Sequence, residues 1–248
     1  MTILDEIVAN KIEEIKTLKD VAAPLRCEQD FTQLFAPAPC LIAEVKAASP
    51  SEGVIAKDFN PVSVAQKYIA GGCNAMSVLT DHKYFGGSFE ILKSIRAITD
   101  KPLLCKEFVI EEKQVRVARA CGADLVLLIV KILTKKRLQE LKDAIEALGM
   151  KALIEVQNEE ELEIALAVDP ELLLINNRNL SSFEVDMKTT ENLLAGIPAY
   201  VKVIAASGIQ QPDEIRNFPA RVDGFLIGTA LMRAANPTEF LQSCRSQK

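Results

Sequence analysis

The chain predicts an α/β fold, a (β/α)8 TIM barrel with an N-terminal helical extension. Three observations predict it. Short apolar runs recur along the sequence, an amphipathic stretch follows each, and the 248 residues match the ~250 typical of such a barrel. Strands that alternate with helices pair in parallel. An open doubly wound sheet usually brings a glycine-rich first turn, and the sequence has no GxGxxG and no P-loop. The expected organisation is one barrel domain over 1–248, with residues 1–39 as a helical extension packed on it.

In order, the extension shows helical spacing in Ile3, Ile7, Ile12 and Ile15, followed by a polar connector ending in Pro37-Ala38-Pro39. The apolar runs are 40–45, 75–80, 102–108, 123–130, 151–156, 172–177, 200–207 and 224–229. Helical segments are expected near 62–70, 88–99, 111–121, 134–148, 158–167, 186–195 and 212–217, with a last one after Ala230. Gly71-Gly72, Gly122, Gly149 and Gly196 each stand just before the next run, where helix C-caps belong. The loop 49–60 is the candidate lid, by its position.

Composition narrows the function. A net charge of -5 leaves no electrostatic footprint for nucleic acid or an anionic membrane. No apolar run approaches the ~20 residues that span a bilayer. The N-terminus lacks the cationic start and apolar core of a signal peptide. The six cysteines (27, 40, 73, 105, 121 and 244) have no CxxC spacing, and several lie in apolar runs, so they read as reduced thiols in a cytoplasmic protein with no zinc. His82 is the only histidine, follows Asp81 in a loop, and reads as a solvated bystander. No metal and no cofactor are expected. The expected partner is one small phosphorylated molecule, with no nucleic acid and no membrane. The expected state is a monomer, a dimer being the alternative.

The chemistry concentrates where the apolar runs end. In a strand, residues i and i+2 share a face, so Glu44 and Lys46 sit side by side at the end of the first run. Lys106 ends the third run, Lys131 the fourth and Glu155 the fifth; Asn176, Asn177 and Arg178 end the sixth. Ser207-Gly208 and Gly228-Thr229 end the last two. A single pair such as Glu44 and Lys46 reads equally well as a structural ion pair. Polar residues at the end of nearly every run require a coincidence at each under that reading. Active sites of these barrels sit at the C-terminal strand ends, and the loops after the seventh and eighth strands bind phosphate. A lysine beside another cation can act as a proton donor, and a buried glutamate as a base. The residues therefore point to acid–base chemistry on a phosphorylated small molecule.

The blocks AEVKAASPSEG, LTDHKYFGGS, CKEF, LLIVKIL, LIEVQ, INNRNL, ASGI and FLIGTALM, in this order, resemble those of the indole-3-glycerol phosphate synthase family along essentially the whole chain. The resemblance implies a carboxy-lyase of tryptophan biosynthesis. It would close and decarboxylate 1-(2-carboxyphenylamino)-1-deoxyribulose 5-phosphate to indole-3-glycerol phosphate, carbon dioxide and water. It also implies roles: Lys106 as general acid, Glu155 as general base, Lys46 as second lysine near the substrate carboxylate, and Glu44 as stabiliser of the developing cation. Asn176, Arg178 and Ser207 would position substrate. Ser49, Gly208, Gly228 and Thr229 would line the phosphate site, and Phe85, Phe108, Leu127 and Leu180 the aromatic-ring pocket. For the last four, and Leu127 above all, core packing is the competing reading.

Three positions depart from the family pattern. Ala206 stands where the family has glutamate, Glu107 where it usually has aspartate, and Thr229 where it usually has serine. The first removes an active-site carboxylate; the other two preserve charge or hydroxyl. Two further readings use the same barrel. One is a Schiff-base-forming lyase acting through Lys106 or Lys131 on a phosphorylated carbonyl substrate. The other is a phosphate-ligand-binding barrel weakened catalytically by Ala206. Phosphoribosylanthranilate isomerase, a related barrel, is a weaker rival, and the chain is too short to be a fusion of both barrels.

Overall fold

The computed structural model describes residues 2–24, 31–50, 53–54, 59–180 and 184–247. The strands are β1 (Cys40–Val45), β2 (Ala75–Leu79), β3 (Leu103–Lys106), β4 (Leu125–Ile129), β5 (Lys151–Val156), β6 (Leu172–Asn176), β7 (Lys202–Ala206) and β8 (Gly224–Ile227). All pair in parallel with their chain neighbours, and β8 pairs with β1 (Cys40 opposite Gly224) to close the barrel. Each strand is covered on both faces, by barrel interior and by helices, which is why the runs are apolar throughout rather than alternating. Burying each such Leu or Ile contributes about 1.5–3 kcal/mol.

The helices are α1 (Ile3–Thr17), α2 (Pro61–Ala70), α3 (Phe89–Arg96), α4 (Glu112–Ala120), α5 (Lys135–Ala147), α6 (Glu159–Leu166), α7 (Lys188–Leu194), α8 (Thr229–Arg233) and α9 (Pro237–Arg245). Their starts are coded locally. Thr2 and Asp5 form a reciprocal capping box, and the side chains of Asn60, Ser88, Thr134, Asn158 and Asn236 each accept a hydrogen bond from a first-turn amide. Two expectations change. The segment Pro212–Asn217 is a 3-10 helix, too short for the α form to gain over tighter bonding. The terminal helix is two pieces, because Asn236 caps a new start and Pro237 occupies its first position.

The extension differs from its isoleucine spacing. The buried residues of α1 are Leu4, Ile7 and Lys11, whereas Ile12 is 49% exposed. Helix α1 lies at the C-terminal ends of β2 and β3, where Lys11 pairs with Asp81 and Glu107. The chain then descends along α4: Lys113 donates to the carbonyl of Ile15, Arg116 pairs with Asp20, and Arg119 donates to the carbonyl of Pro24. It enters β1 from the opposite end of the barrel, beside Asn74 and Arg245, which both donate to the carbonyl of Pro37.

Of the candidate lid 49–60, residues 51–52 and 55–58 lie outside the described residues; Ala48–Ser49 pairs antiparallel with Gly53–Val54. Cys27 also lies outside them, and the five described cysteines are free. Burial pushes the Cys73 thiol up to about 11. His82 and Lys131 are exposed.

Candidate active site

One open cavity lies at the C-terminal mouth of the barrel, and strand parity decides what faces it. Glu44 on β1, Lys106 on β3, Glu155 on β5 and Ala206 on β7 line it. These are the last inward positions of the four odd strands, and alternate strands of such a barrel contribute one layer of four side chains. The even strands contribute Leu79, Ile129, Asn176 and, just past β8, Gly228. The titratable groups on the strands themselves thus come from the odd set, while the even set contributes apolar, amide or absent side chains and, in the loop after β6, Arg178.

Within that layer the groups are paired but not saturated. Lys46 Nζ lies 2.8 Å from Glu44 Oε1. Lys106 Nζ lies 3.9 Å from Glu155 Oε2. Asn176 Nδ2 donates to Glu155 Oε1 at 2.9 Å, and Asn176 Oδ1 accepts from Ser207 Oγ at 2.8 Å and from the Arg178 amide at 3.1 Å. Asn176 therefore fixes Glu155, Ser207 and the start of the Arg178 loop together. Glu155 Oε2 is buried with no hydrogen-bond partner among the described residues, and Glu155 lines the cavity. A buried acceptor without a donor is costly. A substrate or water in the cavity can supply that donor.

Glu44 is buried, which by itself would push its carboxyl up. The charges of Lys46 and Lys106 outweigh burial and hold it below the usual range, so Glu44 is ionised at neutral pH. Gly228 makes this pair possible. A Cβ there would collide with the Glu44 carboxylate and lie 3.0 Å from Lys46 Nζ.

The loops after β7 and β8 complete one side. Ser207 has φ 67°, a left-handed conformation uncommon outside glycine, and Gly208 follows at φ 92°. A side chain on Gly208 would run into Met187. Gly228 caps the first turn of α8, and Thr229 begins it; both line the cavity with Ser207, Gly208 and Ser49. Amides at such a turn suit an oxyanion. On the other side Phe85 and Phe108 stand with ring centroids 6.0 Å apart, tilted by 38°, and Leu180 lines the cavity with them.

The structure brings together every residue given a role by the family resemblance except Leu127, and it leaves the strand-end candidates Lys131 and Asn177 outside the cavity. The Leu127 side chain is fully buried inside the barrel and does not reach the cavity. Ile129, two positions further along the same face of β4, lines it instead, and parity with Glu155, its partner on β5, would have shown which was nearer the mouth. Sequence reasoning also missed Pro50, Leu79, Ile209 and Gln210, apolar or loop residues whose only signal is position. No described group of His, Cys, Asp or Glu is arranged to hold a metal.

The fold and mouth define a (β/α)8-barrel enzyme equipped for proton transfer beside an aromatic wall. Solved structures agree on the fold: KGPDC from Streptococcus mutans has a TM-score of 0.66 at 14% identity, covering 84% of this chain and 96% of that one. The 3-hexulose-6-phosphate synthase from Salmonella typhimurium has 0.65 at 12%, covering 84% and 97%. The sequence comparisons are more specific. A family model for indole-3-glycerol phosphate synthase matches residues 4–244. The indole-3-glycerol phosphate synthase of Rippkaea orientalis is 45% identical, covering 96% of this chain and 87% of the relative. That of Dechloromonas aromatica is 41% identical, covering 95% of both. The chain belongs to the indole-3-glycerol phosphate synthase family.

Proposed function

We propose that the chain carries out the family's reaction through the four-strand layer at its mouth. The substrate is 1-(2-carboxyphenylamino)-1-deoxyribulose 5-phosphate. Its phosphate sits against the Ser207–Gly208 and Gly228–Thr229 turns with Ser49, and its aryl ring against Phe85, Phe108, Leu180 and Ile129. Asn176, Arg178 and Ser207 hold the sugar chain between them.

The aryl carbon bearing the carboxylate attacks the ketone carbon, and Lys106 gives its proton to the ketone oxygen. The electron pair leaving the ring places positive charge on the anilino nitrogen, which the ionised Glu44 carboxylate stabilises. Lys46 holds the substrate carboxylate until carbon dioxide departs and its bonding pair restores the aromatic ring. Lys46, released as carbon dioxide departs, gives a proton to the new tertiary hydroxyl, which leaves as water, while Glu155 removes a proton from the neighbouring carbon, giving the indole. The observation that carries this reading is the convergence of Glu44, Lys106 and Glu155 on one cavity beside the Phe85–Phe108 wall.

The test is indole fluorescence on adding the substrate, for the parent and its Lys106→Ala variant. The chain has no tryptophan, so product appears against a low background. Signal in the parent and not in the variant is the expected result. Silence in the parent with substrate still bound would sink the synthase reading in favour of a binding barrel, and covalent trapping by borohydride would favour a Schiff base on Lys106.

A further inference from the structure

A largely buried charge cluster behind the mouth uses residues that the reaction does not. Lys11 of α1 is buried, with its ammonium 2.6 Å from Glu14, 2.9 Å from Asp81 and 3.0 Å from Glu107. Burial pulls the Lys11 ammonium down, but the surrounding carboxylates more than offset it and the net shift is upward, so the amine is charged. Asp81 and Glu107 are themselves almost wholly shielded from solvent.

Each carboxylate holds a piece of the aromatic wall. Asp81 Oδ1 accepts from the Tyr84 amide at 2.8 Å, and its carbonyl accepts from Gly87 at 2.7 Å, closing the turn that presents Phe85. Glu107 Oε1 accepts from the Phe108 amide at 2.8 Å, and Oε2 from Thr80 Oγ1 at 3.0 Å. The Thr80 amide in turn donates to the carbonyl of Lys106 at 3.2 Å. Lys106, Glu107 and Phe108 are consecutive, so what fixes the middle residue fixes both neighbours. The rings of Phe85 and Phe108 meet across the same junction.

We propose that Lys11 is a positioning residue. Its ammonium clamps Asp81 to Glu107, so the N-terminal helix sets the spacing of the Phe85–Phe108 wall and the aim of Lys106. The clamp rests on the reading of that wall as the aryl-ring site. Glutamate at position 107, one methylene longer than aspartate, reaches both Lys11 and Thr80. Without Lys11 the two carboxylates face each other without a counter-ion and move apart, taking the β2 and β3 loops with them. A displacement of about 1 Å at reacting groups lowers turnover by about 10²-fold.

The experiment compares the full chain as parent, Lys11→Arg, Lys11→Met and Lys11→Met/Glu107→Gln. Calorimetry gives Kd for the substrate analogue with its ketone reduced to an alcohol, which cannot cyclise. Melting temperature and turnover are measured on the same preparations. Lys11→Met is expected to bind the analogue about tenfold more weakly and to turn over about 10²-fold more slowly, with Lys11→Arg near the parent. The double variant, relieved of one unpaired carboxylate, is expected to regain melting temperature but neither binding nor turnover. Parental Kd and turnover in folded Lys11→Met would overturn the inference. So would their full recovery in the double variant along with stability, since the loss would then be one of folding alone. Should Lys11→Met not fold, the double variant is compared with the parent by the same criteria. A parent that binds the analogue yet forms no indole would sink the synthase reading, while the Kd values still decide the role of Lys11.

Discussion

Consecutive residues of one strand end serve two ion clusters of different character. Lys106 faces into the barrel and joins Glu44, Lys46 and Glu155 around an open cavity; Glu107 faces away and joins Lys11, Glu14 and Asp81 beneath α1. The ingredients are alike, amines and carboxylates in an apolar setting. The inner cluster keeps bonding capacity in reserve: Lys106 stands 3.9 Å from Glu155, whose Oε2 lacks a hydrogen-bond partner among the described residues. The outer cluster is drawn tight by charge, with three carboxylates within 3.0 Å of one ammonium, although Asp81 Oδ2 there also lacks a hydrogen-bond partner among the described residues. The two central carboxylates record the same contrast. Glu44 is held low because two lysine charges outweigh its burial, while burial dominates at Glu107 and pushes it up despite Lys11. A loosely paired lysine and carboxylate beside a cavity are available for chemistry; an ammonium held within 3.0 Å of three carboxylates holds structure in place.

The strongest way to break this contrast is Lys106→Ala. It should lower kcat by about 10²–10⁴-fold, the usual contribution of a general acid. Because Lys106 is not tightly paired, its melting temperature should stay near the parent's. A large fall in melting temperature alongside kcat would show the inner cluster to be structural as well. Next comes Gly228→Ala, whose methyl must displace the Glu44–Lys46 pair. A loss of about 10²-fold in kcat/KM is expected for such misplacement, and unchanged kinetics would mean the pair need not be where it lies.

Ala206→Glu sharpens the comparison by filling the fourth position of the odd-strand layer. A rise in kcat of about tenfold, at the low end of acid–base contributions, would show that the inner cluster lacks a carboxylate; no change would show the layer complete with three. The smallest effect is in acid stability. Glu44, with its folded pKa lowered, contributes stability above its unfolded value near 4.5 that is lost as pH falls through the folded value. Glu107, with its folded pKa raised, works in the opposite sense, gaining relative stability as pH falls through its folded value toward 4.5. Melting curves between pH 6 and 3 (about the range these signs cover) should therefore show Glu44→Gln losing less than the parent on acidification and Glu107→Gln losing more. Differences of about 2–4 °C are the expected scale for a chain of this size. The same sign for both would mean that the clusters are not distinct.

Most of the barrel was legible because its strands are covered on both faces, so each appears as an uninterrupted apolar run. The runs 40–45 and 151–156 match β1 and β5 in full. Polar residues at the mouth stood out against those runs for the same reason. What sequence hid was parity and long-range pairing. Leu127 and Ile129 are chemically alike, and only the register against β5 tells which is nearer the mouth. Lys11 occupies the inward face of an amphipathic helix, where apolar spacing alone gave that place to isoleucines. Its partners lie on loops after β2 and β3, so nothing nearby in the chain marks it except Glu14.

The barrel closes by pairing its first strand with its last, Cys40 opposite Gly224. Every partner of Lys11, by contrast, lies at or before Glu107. In a chain made from its N-terminus onward, the helix can be tethered to the first three strands while the remaining five are still to be added. Gly228, which leaves room for the Glu44–Lys46 pair, comes near the end. The order of residues thus lets the molecule secure the wall of its pocket from a fraction of the chain, and withholds the assembled catalytic layer until the polypeptide is almost complete.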